Sequence, residues 1–444
     1  MRVLTVRNKR ITPILLILAY VLTGCNVNDK AAPIGTQEEL YKQDNIQESA
    51  AVIPLVDSYM DADELSDNAA EATVMADATA LREEASDQYE GEVNTGDSRD
   101  SISIIMVGDV LLHDSVNGSF CQTDGSYDYT NIFANTVDEI SAADLAIVNQ
   151  EVIIGGRELE VTGYPSFNAP YEIGDALAAA GFDVVCHATN HALDRNKQGI
   201  INCLSFWETN YPDMGVVGIY GSKEDRDSIY IYEKKGIKIA VLNYTYGTNG
   251  VKMPSDMPYA VNLLEEERLA EDIRLAESEV DFTIVCPHWG TEYMLEESTE
   301  QVRLARLMVH NGADLIIGTH PHVIEPIDWI EDEETGNRGL VYYSLGNYVN
   351  WTAGKGEGVA NRMVGAMARV NVTYGDSGDI VVGNYDVEAL VSHVTPKRGE
   401  ISVYRLVDYD SGLAESNAII GQDSNFSRDY CIDLCNNVFG DIWK

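Results

Sequence analysis

Ser101-Ile102-Ser103-Ile104-Ile105-Met106-Val107-Gly108-Asp109 decides how the chain is read. Its apolar run has the length and β-branched content of a strand buried on both faces, and it halts at a glycine followed by a carboxylate. The same form recurs at Leu145–Asn149, Phe182–His187, Ile237–Asn243, Phe282–His288, Leu315–His320 and Gly339–Tyr343. Between most of these runs lie stretches with helical periodicity, namely Tyr171–Ala180, Asn196–Tyr211, Leu264–Ser278 and Thr299–Asn311. Strands alternating with helices predict an α/β fold with covered sheet faces. After Asn350 the pattern turns Gly-rich and strand-like, at Gly365–Tyr374 and Ile380–Leu390. Residues 101–395 therefore read as the folded domain and 396–444 as a C-terminal extension without a motif.

Upstream, the composition changes. From Asn26 to Asp100 there are 19 acidic residues against Lys30, Lys42, Arg82 and Arg99, with few aromatics. Such a stretch cannot bury enough apolar surface to offset its chain entropy, so residues 25–100 are expected to be a disordered, self-repelling acidic spacer. Residues 1–24 read as a signal peptide. Arg2, Arg7, Lys9 and Arg10 form a positive region, and the apolar run Ile11–Leu22 is too short for a confident membrane span. It ends in Leu22-Thr23-Gly24-Cys25, which resembles a bacterial lipobox. That likeness implies cleavage before Cys25, lipid on its sulfur, and an extracytoplasmic protein anchored to the cell membrane. An uncleaved anchor, or an ordinary signal peptide with a chance cysteine, is the competing reading.

The whole chain carries 72 Asp plus Glu against 30 Lys plus Arg, a formal charge of −42. This excludes a nucleic-acid partner read through a general basic surface, and it disfavours adsorption onto anionic lipid. The six cysteines beyond Cys25 fix no pairing by their count, and Cys186 and Cys286, ending apolar runs, read as small buried residues. No P-loop, Gly-x-Ser-x-Gly elbow or dinucleotide fingerprint is present.

Chemistry-bearing side chains collect where the strands end. Asp109, Asn149-Gln150-Glu151, Asn190-His191, His288 and His320-Pro321-His322 each follow a different run, and His113 lies just past the first. In open α/β sheets, ligands gather outside the carboxyl ends of strands. Carboxylate, amide and imidazole together suit a divalent ion such as Mn, Zn or Fe.

These same blocks carry a resemblance. Gly108-Asp109-Val110-Leu111-Leu112, Asn149-Gln150-Glu151, Asn190-His191-Ala192-Leu193-Asp194, His288-Trp289-Gly290-Thr291-Glu292-Tyr293, Gly318-Thr319-His320-Pro321-His322 and Tyr343-Ser344-Leu345-Gly346-Asn347-Tyr348 occur in that order. From Ser101 to Asn350 the chain resembles the CapA/PgsA family of poly-γ-glutamate capsule biosynthesis proteins, a family similar in fold to calcineurin-like metallophosphoesterases. The resemblance implies a metallophosphatase-like sandwich of two sheets flanked by helices. It also implies metal ligands at Asp109, Glu151, Asn190, His288, His320 and His322, with His191 as the proton-transfer histidine. The departures are Leu111 where a histidine is usual, with His113 as a weaker substitute, and Asn149-Gln150-Glu151 where a bridging Asp motif is usual. One ion and two ions are both compatible with that set.

Asp194 is either the residue that orients His191 or the cap of the following helix. Trp289 and Tyr293 are candidates for an apolar wall of the site, with core the more usual place for aromatics there, and Glu292 supports the site or is a solvated charge. Asn149 and Asn347 are expected beside the ligands, Asn347 through a tight turn at Ser344–Asn347. The resemblance further implies an anionic polymer substrate and proteins of a poly-γ-glutamate synthase complex as partners. Three functions compete: a capsule component supporting poly-γ-glutamate synthesis or export, a metal-dependent hydrolase of a phosphoester or amide in an envelope polymer, and a metal-free polymer-binding module. Growth with an alkynyl fatty acid should label the protein at Cys25. A band left unlabelled would overturn the lipid anchor.

Overall fold

The computed structural model describes residues 101–351, 353–396 and 399–443. The signal peptide, Cys25 and the acidic spacer lie outside the described residues.

Strands β1 (Ser101–Val110), β2 (Leu145–Asn149), β3 (Val184–Cys186) and β4 (Gly215–Val217) come first. β5 (Ile231–Lys234), β6 (Ile237–Thr245), β7 (Phe282–His288), β8 (Leu315–Ile317), β9 (Ile327–Glu331) and β10 (Arg338–Tyr342) follow. β11 (Asn347–Val349), β12 (Val364–Tyr374), β13 (Ile380–Val394) and β14 (Ile401–Arg405) close the chain's strand set. They form two sheets. The first has the order β14-β13-β12-β1-β2-β3-β4, with β11 added beside the end of β1; the second has the order β5-β6-β7-β8-β10-β9. β1 to β4 run parallel, as do β6, β7, β8 and β10, whereas β12, β13 and β14 are antiparallel.

This is the α/β fold that the residue pattern predicts, arranged as the two-sheet sandwich flanked by helices that the resemblance implies. Alternation along the second sheet shows why it packs so. Phe282, Ile284 and Cys286 of β7, with Leu315 and Ile317 of β8, join the large core shared with the first sheet. Val285 and Ile316 face the other way, onto Leu269 and Ile273 of the helix Glu266–Glu277 and Leu304 and Met308 of the helix Thr299–His310. Both faces are therefore buried, which is why these strands read as unbroken apolar runs. Truncating Ile284 to Ala would cost about 2–5 kcal/mol.

The helices fall where periodicity placed them: Tyr171–Ala180, Asn196–Asn210, Glu266–Glu277 and Thr299–His310. Beyond residue 395, β14 extends the first sheet against β13. The helix Arg428–Phe439 adds Cys431, Leu434, Cys435 and Phe439 to the main core, so the C-terminal stretch is continuous with the domain. All six described cysteines are free, and five are buried. No described helix is long and apolar enough to cross a membrane.

The helix Thr299–His310 opens with a capping box in which Ser298 accepts from the Gln301 amide N–H. The Gln301 side chain also donates to Glu325 Oε2 at 2.6 Å, while Glu325 Oε1 has no partner. Burial drives the Glu325 carboxyl up to about 8. Its folded-state value thus exceeds the unfolded one of about 4.3, so stability is full below about pH 4 and lost as pH rises to about 8. Glu325→Gln should flatten the fall in melting temperature between pH 5 and 8.5, an effect of up to a few kcal/mol at about 1.4 kcal/mol per pH unit. Thermal melts across that range check it.

Candidate metal centre

The carboxyl ends of β1 and β2 in one sheet and of β7 and β8 in the other converge on one buried cluster of polar groups. Two glycines permit the approach. A Cβ at Gly108 would stand 1.9 Å from the Gly346 carbonyl oxygen, and one at Gly318 would stand 2.0 Å from that of Tyr343. The pairing of β1 shifts register around Asp109 with both β2 and β11, which re-aims the side chain at the strand's end.

Asp109 holds the cluster together. Its Oδ1 accepts from Asn149 Nδ2 at 2.8 Å, and its Oδ2 accepts from the His320 backbone N–H at 3.2 Å. His322 Nδ1 lies 3.3 Å from the same Oδ2. Glu151 is different: it is 1 % exposed, and neither carboxylate oxygen has a hydrogen-bond partner. His288 Nε2 and His322 Nδ1 stand 3.8 and 3.7 Å away. Burial raises the Glu151 carboxyl well above its ordinary range, with His322 opposing and Asp109 adding to the rise.

The four histidines behave differently from one another. His288 and His320 are held well below the ordinary imidazole value by burial and by neighbouring histidines, so both rings are neutral. Burial also opposes charge on His322, but Glu151 and Asp109 overcome it and raise the ring to about 9. Both nitrogens of His288 are engaged, Nε2 with Asn190 Oδ1 and Nδ1 with Thr319 Oγ1, each at 3.0 Å. His320 Nδ1 is buried without a partner. His191 Nδ1 lies 2.7 Å from Asp194 Oδ2, and Asp194 also accepts from the Phe167 N–H.

Ligand atoms of Glu151, His320 and His322 all lie within 4.8 Å of one another. Orphaned, buried acceptors on Glu151, His320 and Asn149, with no donor aimed at them, are what a cation repairs. The donor set of one carboxylate and two imidazoles fits a divalent metal, with Asp109, Asn190 and His288 adjoining. His320 and His322 adopt left-handed backbone angles, φ 100° and 61°. Non-glycine residues hold such angles at a cost of about 1–3 kcal/mol, a strain that marks functional sites.

Several expected residues sharpen in place. Asp194 orients His191: the following helix has Arg195 at its N-cap and no side-chain cap bond. His113 precedes the helix Asp114–Phe120 and packs edge-on to Phe167, outside the set of three. His322 Nδ1 is 3.1 Å from Asn347 Oδ1, so Asn347 supports a ligand. Glu292 is exposed near Glu151 and Tyr293. Trp289 takes the core alternative and not the wall: it is 1 % exposed, stacks on Tyr343 and donates to the Tyr343 carbonyl.

The sequence reading missed Tyr246 and Phe167, while Tyr293 was named as a candidate apolar wall. Tyr246 packs 4.6 Å from the His320 ring, Phe167 4.6 Å from His191 and Tyr293 6.0 Å from His322, centroid to centroid. Tyr246 and Tyr293 remain 49 % and 43 % exposed, framing the opening with aromatic surface. The signal of Tyr246 was weak, because a lone tyrosine in a loop has no periodic neighbour to place it.

A mixed sandwich with a buried carboxylate–imidazole cluster at its strand ends defines the class of protein at hand. Residues 103–352 match the family described as bacterial capsule synthesis protein PGA_cap, more than half of the 444 residues. The chain belongs to that family. It is 34 % identical over 190 residues to the PGA biosynthesis protein CapA of Bacillus subtilis, covering 40 % of this chain and 45 % of that protein. To the capsule biosynthesis protein CapA of Bacillus anthracis it is 30 % identical over 197 residues, covering 42 % and 46 %. The matched region thus spans less than half the length of these curated relatives. Among solved structures, a 5'-nucleotidase precursor from Thermus thermophilus is similar at a TM-score of 0.41 and 16 % identity, over 68 % of this chain and 56 % of that one. Haemophilus influenzae NAD nucleotidase is similar at a TM-score of 0.41 and 11 % identity, over 78 % and 63 %.

Removing the charge at Glu151 should separate stability from metal uptake. In metal-free protein, Glu151→Gln should raise stability by about 1–3 kcal/mol, because a buried carboxylate with no hydrogen-bond partner, only partly balanced by His322 at 3.7 Å, becomes a neutral amide. The same variant should lose Mn or Zn in equilibrium dialysis. A lower melting temperature without metal would contradict the assignment.

Proposed function

We propose that this chain is a metal-dependent hydrolase of capsule synthesis, held outside the cytoplasm by lipidated Cys25 and acting on an ester or amide linkage of an anionic envelope polymer. The observation that carries this reading is Glu151, a fully buried carboxylate without a hydrogen-bond partner, facing His320 and His322. Membership of the capsule family supports the polymer as substrate class, and poly-γ-glutamate is the polymer named for the relatives' family. Proteins of the synthase complex are the partners this reading expects.

Glu151, His320 and His322 would hold the cation, with Asp109 fixing His322 and the turn at His320. A bound divalent ion lowers the pKa of water and polarises the scissile group. His191 performs the proton transfer. Asp194 accepts from its Nδ1–H and so leaves Nε2 as the working nitrogen, and the carboxylate stabilises the imidazolium as the charge develops. Asp194 is itself pinned by the Phe167 N–H at 2.7 Å, so the ring cannot swing. Phe167, edge-on to His191, closes one side against water, and Tyr246 and Tyr293 give the polymer an apolar entrance.

The test is complementation. A strain deleted for this gene should lose capsule staining, the wild-type gene should restore it, and His320→Ala or His288→Ala should not. Purified metal-free variants should melt within a few degrees of wild type, since both side chains serve the site more than the core. Full capsule from the His320→Ala strain would overturn the hydrolase reading. Substoichiometric metal after reconstitution would favour a binding module instead.

A further inference from the structure

One charged group at the mouth of the site is unused by this chemistry. Arg362 lies in the helical turn Val359–Met363, half-buried, with its guanidinium 3.6 Å from the centroid of the Tyr293 ring. Tyr293 stands next to His322. Asn347 ties the two segments together, because its Nδ2 donates to the carbonyls of both His322 and Arg362 at 3.0 Å. Its Oδ1 meets the His322 ring. The position of Arg362 is therefore set by the same amide that sets a ligand histidine. Its positive charge also reaches His113, where it adds to the depression of that ring's pKa.

Arg362 makes no ion pair among the described residues, unlike Arg226, Arg268, Arg369 and Arg405, which each sit against a carboxylate. Half-buried Arg195 and Arg428 also lack a carboxylate, but their guanidiniums donate to carbonyl or hydroxyl oxygens, whereas the Arg362 guanidinium has no such acceptor among the described residues. A guanidinium stacked by one face on an aromatic ring keeps its N–H edges directed outward. Those edges form a planar fork suited to a carboxylate or a phosphate group. The surrounding acids, Glu151, Glu292 and Asp109, would repel an anion anywhere else at this opening.

We propose that Arg362, on its Tyr293 platform, is a specificity-determining residue that takes an oxyanion group of the substrate, a carboxylate or a phosphate, beside the cation position. The inference rests on the hydrolase reading for its meaning, but its test needs binding alone.

The full chain, with and without Mn²⁺, is titrated calorimetrically with a γ-linked glutamate pentamer, with that pentamer's methyl ester, and with inorganic phosphate. The pentamer should bind wild type and lose about tenfold or more in affinity on Arg362→Ala, as expected for losing a charged hydrogen-bonding partner. Arg362→Lys should fall between, because an ammonium keeps the charge without the fork. The methyl ester should bind weakly and identically to all three. Dependence on residue 362 for phosphate alone identifies phosphate as the source of the oxyanion; dependence for the pentamer identifies carboxylate. If Arg362→Ala lowers the melting temperature, Arg362→Gln against Arg362→Lys carries the comparison. Equal affinity of wild type and variants for both anions overturns the proposal, as does absence of binding to wild type. Failure of Mn²⁺ uptake with anion binding intact removes the hydrolase reading and leaves Arg362 standing.

Discussion

The carboxylate of Asp109 is the joint on which the site depends. It ends β1 of the first sheet, accepts from Asn149 at the end of β2, and accepts from the backbone N–H of His320, which follows β8 of the second sheet. Two sheets packed only through apolar side chains can slide by small amounts, because the hydrophobic effect has no direction. A buried, charge-assisted hydrogen bond across their edges does have one. Asp109 thereby converts a packed sandwich into a fixed alignment of strand ends, and that alignment brings Glu151 within reach of His320 and His322.

Much of this was legible in the chain because the second sheet is covered on both faces. Runs such as Phe282–His288 stay apolar until the sheet's edge, so the first polar residue after each run marks that edge. His288 announces itself in this way, as does Asp109 at the end of buried β1, while Glu151 and His320 follow one or two residues after the first polar residue, Asn149 or Thr319. A tight turn at Ser344–Asn347 was expected to place Asn347; the segment instead bridges Ile324 at Leu345 and opens β11 at Asn347, and that strand start sets Asn347 against His322. The resemblance to the capsule family ordered these blocks, while the sandwich itself needed the pairing of strands that lie far apart in sequence.

What remained unreadable shares one physical cause. Tyr246, Phe167 and Arg362 reach the site through contacts between loops that no periodic pattern controls. Trp289 follows His288 directly, but successive strand residues point to opposite sides, and its ring enters the helix-covered core, the more usual of its two readings. Asp194 could not be divided between cap and orienter from spacing alone: three residues suit both roles, and only the 2.7 Å contact to His191 chooses. The segment beyond 395 lacked a motif because β14 and the helix Arg428–Phe439 contribute packing, not chemistry.

The site also shows where the fold gives up stability. Glu151 is desolvated without a partner, and His320 and His322 hold left-handed backbone angles around Pro321. Each of these is unfavourable alone, and together they oppose folding by several kcal/mol. The His322 ring, 3.7 Å from Glu151, offsets part of this, and the covered sheets must supply the rest. A cation offsets the same cost directly, by satisfying Glu151 and by removing the repulsion between Glu151 and Asp109. The charge of the chain then acquires a local meaning. The pair of acids at the strand ends is arranged so that a positive ion would complement it, and under the proposal the guanidinium of Arg362 on Tyr293 would extend that positive character to the point where an anionic chain enters.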